Sequence, residues 1–507
     1  MSGSILSTAI MAVAAILIGR FLGPGLYGEY TLTLLVPNLL LLFADLGINA
    51  GIAKFAASLR TKGENNRIRR IVLYGLLFQA VVGLAVFMLN FALADAFAVL
   101  INRPTIGFFM RIVSISIFFQ VVATTAASAF VGLDKTEYSA LIANVNATAK
   151  TVSAIALVLL GFGVAGAATG FTAGYITASI VAGVLLFFKI FKPKKNSDKA
   201  SFKDTLKLLG SYGMPLYISV LLVGFTPLYQ QVILAFFASN FNVGNFMVAS
   251  NFLVLLTVIP SSITAALLPA FSKLDSSSAE TVKVFFRRAK KYTCLLIVPL
   301  TSLFIIFSKQ VVQIVYGTAF QSASFFLSIG SLPYFLVGIG YLTLVSLFNG
   351  LGETRTTLKI TIVNFLTASA LAPILARTYG VPGVVITSLF SNSVAMLYGA
   401  YVARTRFKIQ FESRTTAKIY LVSAVSAIPP LLLIRFIHMS DFMALVTGGA
   451  LYILIYITLI PVAKIMGYYE LRTAAKVVQK IQLLAPIAKP VLRYQERILQ
   501  VRRKHAL

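Results

Sequence analysis

Apolar windows of about 20 residues, the length that carries an α-helix across a hydrocarbon core, recur from end to end of this chain and are separated by short polar segments. Windows of about 17 to 27 residues predict about fourteen helices. They fall at 2–19, 30–53, 71–94, 108–131, 138–161, 164–188, 212–238, 244–268, 292–308, 323–348, 358–376, 381–403, 419–437 and 442–465. The pattern predicts an all-α polytopic membrane protein. The N-terminal run lacks a basic lead and continues into further spans, so it reads as a retained first helix.

Composition agrees. Of 507 residues 58% are hydrophobic and 12% charged, against about 25% charged in soluble domains. A net charge of +29 would suggest nucleic acid in a soluble protein, but here the cations crowd the loops that follow the even-numbered windows. Arg60, Lys62, Arg67, Arg69 and Arg70 follow the second window, and Lys189, Lys192, Lys194 and Lys195 the sixth. Lys283, Arg287, Arg288 and Lys290 follow the eighth, and Arg404, Arg406 and Lys408 the twelfth. The other side carries little besides Arg20, Arg103, Arg111, Lys309, Arg377 and Arg435. The asymmetry predicts a multi-pass protein of the cell membrane with both termini in the cytoplasm. It also makes membrane lipids, and no nucleic acid, the expected surroundings of the cations. Beyond the last window, Val477, Val478, Ile481 and Leu484 share one helical face of a basic tail, suited either to the inner leaflet or to a solvated topology signal.

The chain also matches itself. Residues 17–59 lie over 233–275 at an offset of 216, 131–146 over 349–364 at 218, and 162–166 over 379–383 at 217. Three collinear matches predict two copies of a six-helix unit. Since six is even, the copies enter the membrane from the same side as parallel repeats. The expected organisation is a six-helix bundle over 1–188, a basic linker over 189–211, a second six-helix bundle over 212–403, two additional helices over 404–465 and an amphipathic basic tail over 466–507.

Chemistry-bearing residues inside the windows are few. Lys150 interrupts the apolar stretch 138–161 about 18 Å from its cytoplasmic end at 1.5 Å per residue, near the midplane. A cation at that depth costs a few kcal/mol and requires a partner, a cavity or a ligand. Asp45, the one acidic residue well inside a window, is either that partner, a proton or sodium site, or a helix-end residue capping its neighbour. Gln230, Gln231 and Asn251 suit either hydroxyl-rich ligands or hydrogen bonding between helices. One cysteine, two distant histidines and no phosphate loop or carboxylate cluster point away from metal, redox and nucleotide chemistry, so no cofactor and no catalytic residue is expected.

The run Arg20-Phe-Leu-Gly-Pro-Gly-Leu-Tyr-Gly-Glu-Tyr30, then Ala44-Asp45-Leu46-Gly47-Ile48, resembles the start of polysaccharide biosynthesis proteins of the O-antigen flippase type. These belong to the multidrug/oligosaccharidyl-lipid/polysaccharide exporter superfamily. Tyr212-Gly213-Met214-Pro215 and Pro269-Ala270-Phe271-Ser272 are similar to that family as well, and the resemblance covers roughly 15–410. It implies a flippase, not an enzyme, that moves a polyprenyl-(pyro)phosphate-linked oligosaccharide or polysaccharide repeat unit across the cytoplasmic membrane. Glycosyltransferases or a polymerase of the same pathway are its implied partners. Lys150, Arg20, Arg111 and Arg377 then become the cations for an anionic headgroup, with Gln230, Gln231 and Asn251 for its sugars. Gln230 and Gln231 stand where relatives often carry a carboxylate, a departure that argues against a cation-coupling site at that place; Asp45 is separately the candidate for ion coupling. The alternative within the superfamily is a cation-coupled multidrug exporter, which usually needs several membrane carboxylates.

Overall fold

The computed structural model describes residues 2–191, 201–272, 279–467, 470–471 and 490–498, all in helices and the turns between them. Among the described residues ten stretches are long and apolar enough to cross a membrane, and several of the largest exposed side chains are apolar, Leu160, Phe187 and Phe436 among them, as lipid-facing helices require. Most of the basic linker and nearly all of the tail, with Val477, Val478, Ile481 and Leu484, lie outside the described residues.

The chain divides into two compact units. The first comprises residues 1–248 and 368–387. It opens with α1 (Ser2–Thr33), α2 (Leu35–Leu42), α3 (Ile48–Thr61), α4 (Asn65–Leu100) and α5 (Ile106–Gly132). It continues with α6 (Thr136–Leu157), α7 (Gly163–Lys189), α8 (Phe202–Phe237) and the beginning of α9 (Asn240–Ser272). Its core joins Ile48 and Ile52 of α3, Val72 of α4, Ala126 and Phe130 of α5, Ala182 and Leu186 of α7, and Leu209 of α8.

The second unit comprises 249–367 and 388–507. Its helices are the rest of α9, α10 (Ala279–Ile306), α11 (Ser308–Tyr316), α12 (Gln321–Ser331), α13 (Thr343–Gly350), most of α14 (Thr354–Tyr379) and of α15 (Val381–Arg406), α16 (Ser413–Phe436) and α17 (Asp441–Val462). One core gathers Phe271, Phe286, Leu347, Phe348 and Met396, and another Cys294, Val298, Val337, Tyr452 and Tyr456.

Three windows differ from their helices. The expected loop after residue 19 is helical, and α1 runs to Thr33 with a single break where Gly23 takes φ 69 and ψ 171, a conformation closed to other residues, and Pro24 restarts the helix. The window 30–53 is divided by a turn at 43–47 that ends on left-handed Gly47. The window 323–348 becomes α12, a 3-10 turn Leu332–Ile339 opened by Pro333, and α13. Apolarity locates membrane depth in each case, but Gly and Pro set where the helix stops.

The two self-matching segments fold alike. Before α6, Leu133, Asp134 and Lys135 donate their amides to the carbonyls of Ala129, Val131 and Phe130. Before α14, Leu351, Gly352 and Glu353 donate to Leu347, Asn349 and Phe348, each bond 218 residues further on. The left-handed residue is Asp134 (φ 59) in one and Gly352 (φ 80) in the other. A second correspondence lies within the first unit. Gly28 rests on the Asn240 carbonyl and the Gly244 nitrogen, while Gly244 rests on the Pro24 carbonyl and the Gly28 nitrogen. Any Cβ at either glycine would strike backbone. Positions 216 residues apart therefore touch reciprocally.

Candidate functional site around Lys150

Lys150 is placed by the packing of α6 on α7. Gly166, Gly170 and Gly174 face α6 at successive turns, opposite Leu157, Ala154 and Lys150. A Cβ on Gly174 would lie 2.7 Å from the Lys150 Cβ and 3.0 Å from the Asn146 carbonyl, so only glycine lets the helices approach so closely. The lysine stem is thereby pressed against α7. Its ammonium reaches over the ring of Phe171, 4.5 Å from the centroid, and Phe171 packs edge-on against Tyr175 at 5.2 Å.

No carboxylate lies within ion-pair distance of Lys150 among the described residues, and no hydrogen-bond acceptor is in reach. Asp45 is therefore not its partner. A cation–π contact is worth about 0.5–2 kcal/mol, whereas insertion-based costs for a midplane lysine are about 2.5–3.5 kcal/mol. The aromatic floor offsets only part of that cost. One turn before Lys150, the buried amide nitrogen of Asn146 also has no acceptor, so two donors of one helix face are unused. The arrangement is suited to an anion with further acceptor oxygens, such as a phosphate carrying a sugar.

Asp45 occupies the turn between α2 and α3, not the interior of a span. Its Oδ1 accepts the Asn49 amide at 3.3 Å, capping α3, where a negative group also opposes the helix dipole. Its carbonyl accepts the Gln79 side-chain amide at 2.6 Å. The carbonyl oxygens of the Gln79 and Asn49 side chains, on residues bonded to Asp45, are buried without a donor.

The other predicted residues are dispersed. Arg111 of α5 pairs with Asp95 of α4, near the Phe91 ring. Arg20 is exposed on α1 just before the Gly23 break, and Arg377 is exposed in the last turn of α14. Gln230 and Gln231 are half-buried on α8. Asn251, in the second unit, donates to the Tyr316 hydroxyl at 3.0 Å. Arg103 is a clasp at a helix end: it donates to the carbonyls of Ala235 and Ala238 at the end of α8 and, at 2.5 Å, to the Asn240 side chain. The sequence reading did not single out Phe171, Gln79 or the Gly166/Gly170/Gly174 stripe. The four-residue spacing of the glycines was visible; the ring under the lysine depends on the register of two helices.

The family profile described as polysaccharide biosynthesis protein matches residues 1–275. No curated protein sequence matches the chain. Among solved structures, the lipid II flippase MurJ in an inward closed conformation superposes with a TM-score of 0.71 at 16% identity, over 90% of this chain and 96% of that one. An inward-facing multidrug resistance MATE family transporter of the MOP superfamily gives 0.63 at 18% identity, over 80% and 98%. A MOP superfamily transporter from Pyrococcus furiosus, described as having a binding pocket of reversed polarity, gives 0.54 at 18%, over 80% and 93%. With a matching profile over more than half its length, on the fold shared by these membrane transporters, the chain belongs to the polysaccharide biosynthesis protein family.

Proposed function

We propose that this protein is a flippase for a polyprenyl-(pyro)phosphate-linked oligosaccharide or polysaccharide repeat unit, carried across the cytoplasmic membrane by alternating access. The observation that carries the reading is Lys150: a half-buried cation held between α6 and α7 over an aromatic ring, with no carboxylate to neutralise it among the described residues. In this reading the substrate phosphate supplies the missing anion, and the Asn146 amide adds a donor. Arg20, Arg111 and Arg377 serve as weak outer sites, and Gln230, Gln231 and Asn251 meet sugar hydroxyls. Asp45, with the free acceptor oxygens of Gln79 and Asn49, is the proposed ion-coupling position. The reciprocal glycine contact and the paired turns support two parallel six-helix bundles followed by two added helices, and the charge asymmetry of the loops supports cytoplasmic termini.

The test is transport of a fluorescent polyprenyl-pyrophosphate oligosaccharide in proteoliposomes. Wild-type protein flips it, Lys150→Ala lowers the rate at least about tenfold, the loss of one charge-assisted contact near 1.5–3 kcal/mol, and Lys150→Arg retains part of it. Undiminished flipping by folded Lys150→Ala protein would falsify the role of the lysine. Drug efflux without glycolipid flipping selects the multidrug-exporter alternative.

A further inference from the structure

A fully buried lysine lies in the second unit, far along the chain from the half-buried Lys150 and on different helices. Lys290 of α10 is 3% exposed. It borders a cavity of about 800 Å³ whose walls are Leu332, Phe335, Leu336, Ile339, Leu389 and Phe411. The cavity owes its shape to the 3-10 turn Leu332–Ile339, which interrupts helix packing there and is pinned to α16 by Tyr420: the phenol accepts the Gly338 amide at 3.1 Å and donates to the Phe335 carbonyl. Exposed Ser413 and Ala417, at the start of α16, form its mouth.

The chemistry of this cavity is that of an amphiphile with an anionic head. The Lys290 ammonium has three donors and makes one hydrogen bond, 3.0 Å to the Glu412 carbonyl, with its nitrogen 5.6 Å from the Phe411 ring centroid. The direct contacts of the nearby carboxylates are to other groups. Glu412 accepts the Thr415 hydroxyl at 2.6 Å and pairs with Arg287 at 3.6 Å, and Glu470 pairs with Lys291 at 2.7 Å. Lys290 feels the negative charge of Glu412 and, against it, the positive charge of Arg287. Arg288 and Arg414 stand exposed on the same helix ends. A cation this deeply desolvated, with two unused N–H groups at the head of an apolar slot, is complementary to a phosphate with a hydrocarbon chain.

We propose that this cavity is a binding site for an anionic glycerophospholipid, its phosphate on Lys290 and one acyl chain along Phe335, Ile339 and Leu389. The site belongs to one unit and is independent of the transported substrate. Its assignment to the inner leaflet follows from the basic loops that flank α10 and α16, the side on which anionic lipid and cationic pockets between helices meet.

The chain contains no tryptophan, so a single reporter can be introduced. Ala417→Trp puts an indole at the mouth, where the native residue is exposed, and Val446→Trp on the exposed face of α17 serves as the control. Full-length protein is reconstituted in phosphatidylcholine vesicles containing brominated phosphatidylglycerol or brominated phosphatidylcholine, and quenching is read. The expected result is about a fivefold preference for phosphatidylglycerol in the Ala417→Trp protein, the attraction of one lysine for anionic lipid. That preference is absent in the Val446→Trp control and is abolished when Lys290→Gln is added to the mouth reporter. Equal quenching of the mouth reporter by the two lipids, or the same preference in the control, overturns the proposal. Displacement of phosphatidylglycerol by low concentrations of a polyprenyl phosphate also overturns it, by making the cavity part of the substrate path. If Ala417→Trp does not fold, Leu389→Trp reads the same cavity from α15.

Discussion

Helices α6 and α14 begin with the same turn, carry an asparagine at the matching position, Asn146 and Asn364, and then diverge at Lys150 and Ala368. Ala368 is fully buried, whereas Lys150 is only half so and lies over Phe171. The same turn and helix start are thus followed by a charge in one segment and by a methyl group in the other. It follows that neither the helix nor its turn requires the lysine. It is tolerated because Gly174 lets α6 approach α7 and Phe171 provides a floor, and it is left without a counter-ion among the described residues. Lysines elsewhere are treated otherwise: Lys291 has Glu470, and Lys418 donates to the Ala463 carbonyl at 3.0 Å.

The contrast fails most decisively if a charge is accepted at the matching position of α14. Ala368→Lys is expected to lose about 3–5 kcal/mol, the penalty of an uncompensated buried charge, seen as a large drop in the thermal midpoint and in recovered folded protein. Tolerance of that lysine would mean that burial differs less between the two positions than their exposures imply. Phe171→Leu comes next. It removes the floor under Lys150 and is expected to cost about 1–3 kcal/mol, from the ring's packing and the cation–π contact, and Lys150→Met in the same background should recover the cation–π part in a double-mutant cycle. The paired turns give a smaller effect. Gly352→Ala puts a side chain at φ 80 in open space and is expected to cost about 1–2 kcal/mol from the left-handed backbone alone, while Asp134→Gly relieves the same conformation.

The smallest effect concerns the lysine that does have a partner. Burial alone would raise the Glu470 carboxyl, but hydrogen bonds from Lys291 and the Gly467 amide outweigh it and hold the group below its ordinary value. A depressed carboxylate stabilises the fold above its unfolded-state pKa and loses that contribution as pH falls through its folded-state value. A modest loss of thermal stability on acidification below the ordinary carboxyl range is expected, and Glu470→Gln should flatten that acid limb. Lys150 has no carboxylate beside it, so Lys150→Met should leave the limb unchanged.

Much of this was legible in the sequence because bilayer depth is a one-dimensional constraint. Runs of apolar residues must be helical when no water is present to satisfy the backbone, and the loops that stay outside keep their charge. The self-match at 131–146 and 349–364 was legible for a similar reason: a turn with a left-handed residue followed by Thr136 or Thr354 is a local structure. The breaks at Gly23, at 43–47 and after Pro333 were less so, since a hydropathy window averages across a single residue that ends a helix. Asp45 shows the consequence. Apolar neighbours placed it inside a span, and the turn makes it a cap for α3 with Gln79 across from it.

From the order of residues alone it follows that the chain is helical and membrane-spanning, which loops carry the charge, and that one lysine lies deep in an apolar run. Those properties depend on composition and spacing along a single strand of residues. Which groups surround the lysine was settled by helix packing, because a side chain's neighbours follow from the register and rotation of whole helices against each other. Asp45, the natural counter-charge by sequence, is engaged in capping α3; Phe171, unremarkable in an apolar run, is the group beneath the ammonium. The same physics placed another lysine against its sequence reading: Lys290 reads as a loop cation, yet the packing of α10, a 3-10 turn and α16 buries it at the head of an apolar cavity.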